Sequence, residues 1–256
     1  MEAMKKLVTV TDLSIIDDLR ENENIELLYP LKSFCVGYDL EFTIDKIDDF
    51  VLVNRILDDF DLDKLKNILC NANIKGIVFD DLGIIDIVSN LNIKKILLLD
   101  HLATNVRSIN YYLEYVDSIV VSNDLTEDEI KYILDNANKK LVVNVFGLKT
   151  LMYSRRKLLS NYEKYHDLDK IGKYNAKIDN KYFKIVENDF GTKFYAGKYY
   201  NGLKLLNLDN VLYFWYDPIG LKKDEILNII LNNDIKNIDT DTLFLDKKTY
   251  YKVGDN

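Results

Sequence analysis

Eight short apolar runs, each closed by a polar residue or a glycine, frame this chain of 256 residues. They are Leu7–Val10, Phe34–Val36, Phe50–Val53, Ile77–Phe79, Ile96–Leu99, Ile119–Val121, Leu141–Phe146 and Val211–Trp215. Each is continuous in its apolar residues rather than alternating, as expected of a strand buried on both faces in a parallel sheet. Stretches of helical spacing lie between them. Ser14 is placed to cap the first, Asp61 caps one carrying Leu62, Leu65, Ile68 and Leu69, and Ile84–Leu91 and Asn105–Tyr115 follow. Thr126 with Glu129 reads as a capping box for another, and Asp224–Leu231 is the last. Strand and helix in alternation predict an α/β fold, and eight strands predict a (β/α)8 barrel of the TIM type. A doubly wound open sheet competes, but no Gly-x-Gly-x-x-Gly follows the first strand.

The rhythm breaks once. Lys181–Val186 and Lys193–Tyr195 alternate, and Asn188-Asp189-Phe190-Gly191 is a turn between them, so a β-hairpin is inserted between strands seven and eight. The chain therefore reads as one barrel domain over 1–256, with 167–209 as an inserted β-rich segment. Thr242–Val253 is expected to pack back as irregular or β structure.

In a barrel, chemistry gathers where strands end, because the loops after the strands form the open face. Those ends supply Asp12, Asn54, Arg55, Asp80, Asp81, Asp100, His101, Asn105, Ser122, Asn123 and Asp217. The plainer explanation is that loops meet water. The arginines are more telling. There are five, Arg20, Arg55, Arg107, Arg155 and Arg156, and four fall at the expected open face. Arg107 sits in the first turn of one helix, and Tyr153-Ser154-Arg155-Arg156-Lys157 opens another just past Gly147. Arginine at a helix start opposes the helix dipole, and its planar fork suits carboxylate or phosphate. The expected substrate-binding set is Arg55, Asp80, Asp100, His101, Asn105, Arg107, Ser154, Arg155 and Arg156, around a small anionic ligand. Arg156 is expected to reach toward Asn54, Asp80 or Asp100, with Arg155 at the rim. Ion pairing of the arginines with Asp80, Asp81 and Asp100 explains them equally well. Asp100 next to His101 offers a general base, although neighbours on a strand face opposite ways.

Other chemistries find little support. No Gly-x-Ser-x-Gly elbow frames Ser154 or Ser160. Cys35 and Cys70 are the only cysteines, and with two histidines they cannot make a four-cysteine cluster or a Cys/His zinc site, so no metal or cofactor is expected. Both cysteines lie among apolar neighbours and read as buried thiols of a reducing compartment. No apolar run reaches about 18 residues and no signal-peptide pattern opens the chain, so a cytoplasmic protein is expected. The formal charge of −8 argues against general polyanion binding. A local basic patch remains: Lys164, Lys170, Lys173, Lys177, Lys181 and Lys184 crowd the insertion.

The stretch Leu141–Tyr162 also resembles the signature of the U32 peptidases, once called collagenase-like proteases. There, a strand and glycine lead into a Tyr-Ser-Gly-Arg-Cys-Leu-Leu-Ser-Asn-Tyr-like run, and Tyr153, Ser154, Arg156, Leu158, Leu159, Ser160, Asn161 and Tyr162 match it. Shorter likenesses are Leu28-Tyr29-Pro30-Leu31 with Gly37, Asp100-His101-Leu102 with Thr104-Asn105, and Phe244-Leu245 with Thr249–Val253. The two signature cysteines fall at Thr150 and Lys157, marking a short branch without them. The resemblance implies the barrel, a peptidase or hydrolase label, and a link to hydroxylation of tRNA uridines. Cluster-bearing members hold iron–sulfur through cysteines that this chain lacks. The alternative it implies is a cluster-free, non-catalytic barrel that binds RNA (tRNA) or a cluster-bearing U32 partner.

Overall fold

The computed structural model describes residues 4–169, 172–178 and 181–247. In chain order the main elements are β1 (Lys6–Thr9), α1 (Ile16–Arg20), β2 (Ile25–Pro30), β3 (Phe50–Val53), α2 (Asp59–Leu69), β4 (Gly76–Phe79), α3 (Ile84–Val88), β5 (Lys94–Leu98), α4 (Val106–Tyr112), β6 (Ser118–Val121), α5 (Glu127–Asn136), β7 (Leu141–Ser154), α6 (Leu158–Tyr165), β8 (Lys173–Ile178), β9 (Lys181–Asn188), β10 (Gly191–Asn201), β11 (Val211–Asp217), α7 (Lys223–Asn232) and β12 (Thr240–Asp241). Strands β1 to β7 pair in order, all parallel, and β11 bonds to both β7 and β1. The sheet therefore closes into an eight-stranded (β/α)8 barrel of the TIM type, which leaves its strands no free edge.

Two apolar clusters follow from the closure. Leu7, Leu28, Phe50, Leu52, Val78, Ile96, Leu98, Val120, Val142, Tyr213 and Trp215 fill the barrel. The alternate strand residues, such as Val8, Val51, Val53, Ile77, Phe79 and Leu97, meet the helices outside. Period-two alternation is thus present, but both faces are apolar, which is why the runs read as continuous.

Three expectations need correction. The second strand is Ile25–Pro30, not Phe34–Val36. Glu26 and Pro30 disguise it, yet Pro30 ends the strand, where its missing N–H costs little. Phe34, Cys35 and Val36 form a wholly buried loop instead. The side chain of Asn54 satisfies that loop, accepting from the Val36 amide at 2.8 Å and donating to the Val36 carbonyl at 3.2 Å. Burial alone therefore imitated a strand.

The seventh strand does not stop at Gly147. It runs on to Ser154 and leaves the barrel as the base of an antiparallel sheet with β10, β9 and β8. Gly147 instead permits close approach: a Cβ there would press on the carbonyl and Cβ of Asp217 at 2.9 and 3.0 Å. The inserted hairpin is present as β9 and β10, with its turn at Asn188–Gly191, and β8 extends it.

Helix starts shift too. α6 begins at Leu158, so Arg155 and Arg156 lie in the bend before it. Asp12 and Asp58, rather than Ser14 and Asp61, accept the capping bonds, from the Ser14 and Asp61 amides. The Thr126–Glu129 capping box is formed. At the other end of the chain, Leu245 is buried, and residues 248–253 of the expected tail lie outside the described residues. Among the described residues, no helix is long and apolar enough to cross a membrane.

Candidate active site at the barrel mouth

Alternation along each barrel strand decides what reaches the mouth. A residue two positions beyond an interior apolar side chain faces inward again. Leu52 is thus followed by Asn54, Val78 by Asp80, Leu98 by Asp100, Val142 by Asn144 and Trp215 by Asp217. The result is a polar layer on an apolar plug at the C-terminal ends of the strands.

The inserted sheet roofs this layer. β10 runs antiparallel to the outward half of β7, with Lys193 opposite Tyr153 and Tyr195 opposite Thr150. Lys193 and Tyr195, two apart, share one face and line the mouth beside Tyr38, Asp100, Asn144 and Asp217. Both are almost fully buried, at 5% and 2% exposure. The open space among these groups is about 40 Å³, enough for the end of a substrate rather than the whole of one.

The electrostatics are those of a proton-holding site. Burial pushes the Asp80 carboxyl up to about 7; the charge of Lys193 opposes this, and Asp100 and Asp81 add to it. Burial likewise pushes Asp217 up to about 6, against hydrogen bonds from Tyr38 and Thr9 and the charge of Lys193. The Tyr38 hydroxyl donates to Asp217 Oδ2 at 3.0 Å, and Trp215 Nε1 donates to Thr9 Oγ1 at 2.9 Å. Asn123 Nδ2 donates to Asn144 Oδ1 at 3.0 Å. Asp80 Oδ1, Asp217 Oδ1 and the Tyr195 hydroxyl are buried without a hydrogen-bond partner among the described residues. Buried polar atoms are rarely left so, and two of these three residues, Asp217 and Tyr195, line the mouth cavity.

A second group sits on the rim. His101 Nδ1 lies 2.7 Å from Asp124 Oδ2, and Lys149 Nζ lies 3.0 Å from Asp124 Oδ1. Burial acts upward on the Asp124 carboxyl, but the His101 and Lys149 contacts outweigh it and hold the group below its usual value. The partner of His101 is thus Asp124 and not its neighbour Asp100.

The remaining candidates are dispersed. Arg55 is buried, with Nε donating to the Ser33 carbonyl at 2.9 Å and Nη2 2.8 Å from Asp61. Its guanidinium also lies over the Phe190 ring at 4.3 Å, so it clamps the inserted turn to the barrel. Asn105 caps α4 through the Ser108 amide at 2.9 Å, and Arg107 is exposed on the outside of that helix. Ser154 Oγ accepts from the Arg156 amide at 3.1 Å. Arg155 pairs with Asp58 at 3.3 Å on the exposed rim, and Arg156 is exposed. Neither lines the mouth cavity, because the longer β7 carries both beyond it. Asp81 ties its own loop to the one after β3, accepting from the Gly83 and Leu57 amides at 2.8 and 2.7 Å. Among the described residues no group of three His, Cys, Asp or Glu side chains is arranged to hold a metal ion.

Lys149, Lys193, Tyr38, Tyr195 and Asn144 escaped the sequence reading. Asn144 and Asp217 were open to the two-residue rule. Lys193 and Tyr195 were not, since nothing in the sequence says which face of the hairpin turns toward the barrel.

The closed parallel barrel thus carries a polar mouth under an inserted antiparallel sheet. The sequence profile of peptidase family U32 matches residues 45–198, from the approach to β3 into β10. The chain belongs to that family. It is also 29% identical over 205 residues to a protein of Acanthamoeba polyphaga mimivirus described as "Uncharacterized protein L75". That likeness covers 73% of this chain and 65% of the viral protein, so the chain spans just under two thirds of its relative's length. No solved structure matches.

Proposed function

We propose that this U32 barrel acts by proton transfer at its mouth on a carbonyl or small anionic group at the end of a larger substrate. One observation carries the reading: Lys193 is buried beside two carboxyls, Asp80 and Asp217, that burial lifts toward neutrality. An ammonium so placed polarises an oxygen, and a carboxyl near pH 7 both gives and takes a proton at working pH. The charge that binds the substrate oxygen then comes from Lys193, not from the arginines. A peptide carbonyl, as the family's peptidase label implies, and the carbonyls of a tRNA uridine both present such an oxygen. The test is an assay of the full chain on peptide pools and on tRNA, beside Lys193→Met and Asp80→Asn. Product in one arm, lost in both variants, supports the reading. No product in either arm, or activity that survives Lys193→Met, removes it.

A second reading makes the chain a binding subunit for RNA or for a cluster-bearing U32 partner. Exposed Tyr162, Tyr165 and Tyr182 stand beside Lys164 and Lys177 on α6 and the inserted sheet, and Lys177 lies over the Tyr182 ring at 5.4 Å. Aromatic faces with interleaved lysines suit stacked bases and phosphates. Binding of tRNA that weakens steeply with salt supports this reading; salt-insensitive binding or none counts against it.

A further inference from the structure

The outer wall of the barrel carries a face that the mouth does not explain. Between α4 and α5 runs an open, mostly apolar groove of about 540 Å³, floored by Val106 and Ile133. Tyr132 on α5 lines it and is 64% exposed, and Tyr111, on α4 beyond the groove-lining Arg107, is 57% exposed. One turn before each comes a charge: Arg107 precedes Tyr111 by four residues, and Asp128 precedes Tyr132 by four. Residues four apart share a helix face. The two helices therefore present matching stripes, cation then tyrosine on one and anion then tyrosine on the other. Both charges are exposed, and neither has an ion-pair partner among the described residues. Burying such tyrosines on a partner is favourable, and a contiguous exposed apolar patch of this kind marks an interaction surface.

The pattern also specifies the partner. Each of the two helices follows one of two neighbouring parallel strands, so α4 and α5 run side by side in the same direction. A two-fold axis lying parallel to them would set α4 of one copy against α5 of the other with both starts level. Arg107 would then meet Asp128 across the interface, twice, with each Tyr111 beside a Tyr132. We propose that this face is a self-association surface, occupied by a second copy of this chain about that axis, with both barrel mouths opening on the same side. An isologous contact of this sort is self-complementary by symmetry.

The symmetry makes the test specific. Sedimentation equilibrium of the full chain should give twice its 29.9 kDa. R107E alone faces Asp128 with glutamate, and D128K alone faces Arg107 with lysine, so each should sediment as a monomer with an unchanged circular dichroism spectrum. Mixed in equal amounts, the two variants restore both charge pairs and should form a dimer, as should the R107E/D128K double variant with itself. Tyr132→Ser should weaken association at least tenfold. A wild-type chain that stays monomeric at its solubility limit overturns the proposal. So does a dimer indifferent to R107E and D128K, which would use another face. A mixture that remains monomeric overturns the Arg107–Asp128 pairing, and with it the two-fold.

Discussion

The Glu187 carboxylate, near the end of β9, seats itself on the start of α6 and accepts the Leu159 amide at 2.7 Å. It also takes the Ser160 amide at 3.0 Å, the Ser160 hydroxyl, and the Thr192 hydroxyl at 2.7 Å. A helix start of this kind invites an anion, and here the anion comes from the chain itself. The run that resembles the U32 signature thus joins α6 to the inserted sheet, and that sheet delivers Lys193 to the mouth. Ser160 is bound into this joint and is not free as a nucleophile.

Replacing Glu187 with alanine should therefore loosen the joint. Lost capping costs about 1–2 kcal/mol, visible as a lower urea midpoint and faster amide exchange at Leu159 and Ser160. The hydroxyl and amide bonds outweigh burial and hold this carboxyl below its usual value. Its contribution is present above the ordinary glutamate range and fades as pH falls through the folded value. Unchanged exchange at the two amides would count against the joint.

Arg55 is the other anchor of the insertion. It is 4% exposed, and its ion pair with Asp61 is largely shielded from solvent. Removing one partner of a buried pair leaves the other charge stranded, at about 3–5 kcal/mol. Arg55→Met should cost in that range. Arg55→Lys should recover little, since lysine cannot bond the Ser33 carbonyl and Asp61 together while covering Phe190. Full stability of Arg55→Lys in a thermal melt would show that a single charge is enough.

The barrel was legible because its period is repeated many times, and one misplaced strand, Phe34–Val36 for Ile25–Pro30, does not change the sum. Asp80 and Asp100 were legible as ends of apolar runs. The arginines mislead because charge just before a helix resembles a signal at its start, while α6 itself begins only at Leu158. Gly147 resembles a strand stop, though its lack of a side chain serves contact with Asp217. Lys193 and Tyr195 depend on how an inserted sheet folds over the barrel, a long-range fact that no local spacing encodes.

Gly37 lies on the same long-range contact. Its φ is +100°, and a Cβ there would overlap the Tyr195 hydroxyl. Gly37→Ala should strain the backbone and displace Tyr195 from the mouth, at a cost of about 1–3 kcal/mol. Tyr195→Phe in the same chain should return part of that loss by removing the obstructing oxygen. If Gly37→Ala alone melts like the wild type, the packing of this glycine on Tyr195 is looser than described.

The raised carboxyl of Asp80 sets a pH dependence with a definite sign. The group titrates near 3.8 when unfolded and about 7 when folded. Below the unfolded value both states hold the proton, and the group leaves stability unaltered. Between the two values the folded state binds a proton that the unfolded state has lost, so stability falls as pH rises. Above about 7 the loss is complete. Three pH units at about 1.4 kcal/mol each come to roughly 4 kcal/mol. Asp80→Asn carries no charge to bury, so it should match the wild type near pH 4 and exceed it by a few kcal/mol at pH 8. Asp217 and Asp49, each pushed to about 6, keep part of the slope in the variant. Urea unfolding of both proteins from pH 4 to 8 reads the difference directly. Two parallel curves would mean that Asp80 titrates as an ordinary surface carboxylate, and the proton-holding mouth would lose its main support.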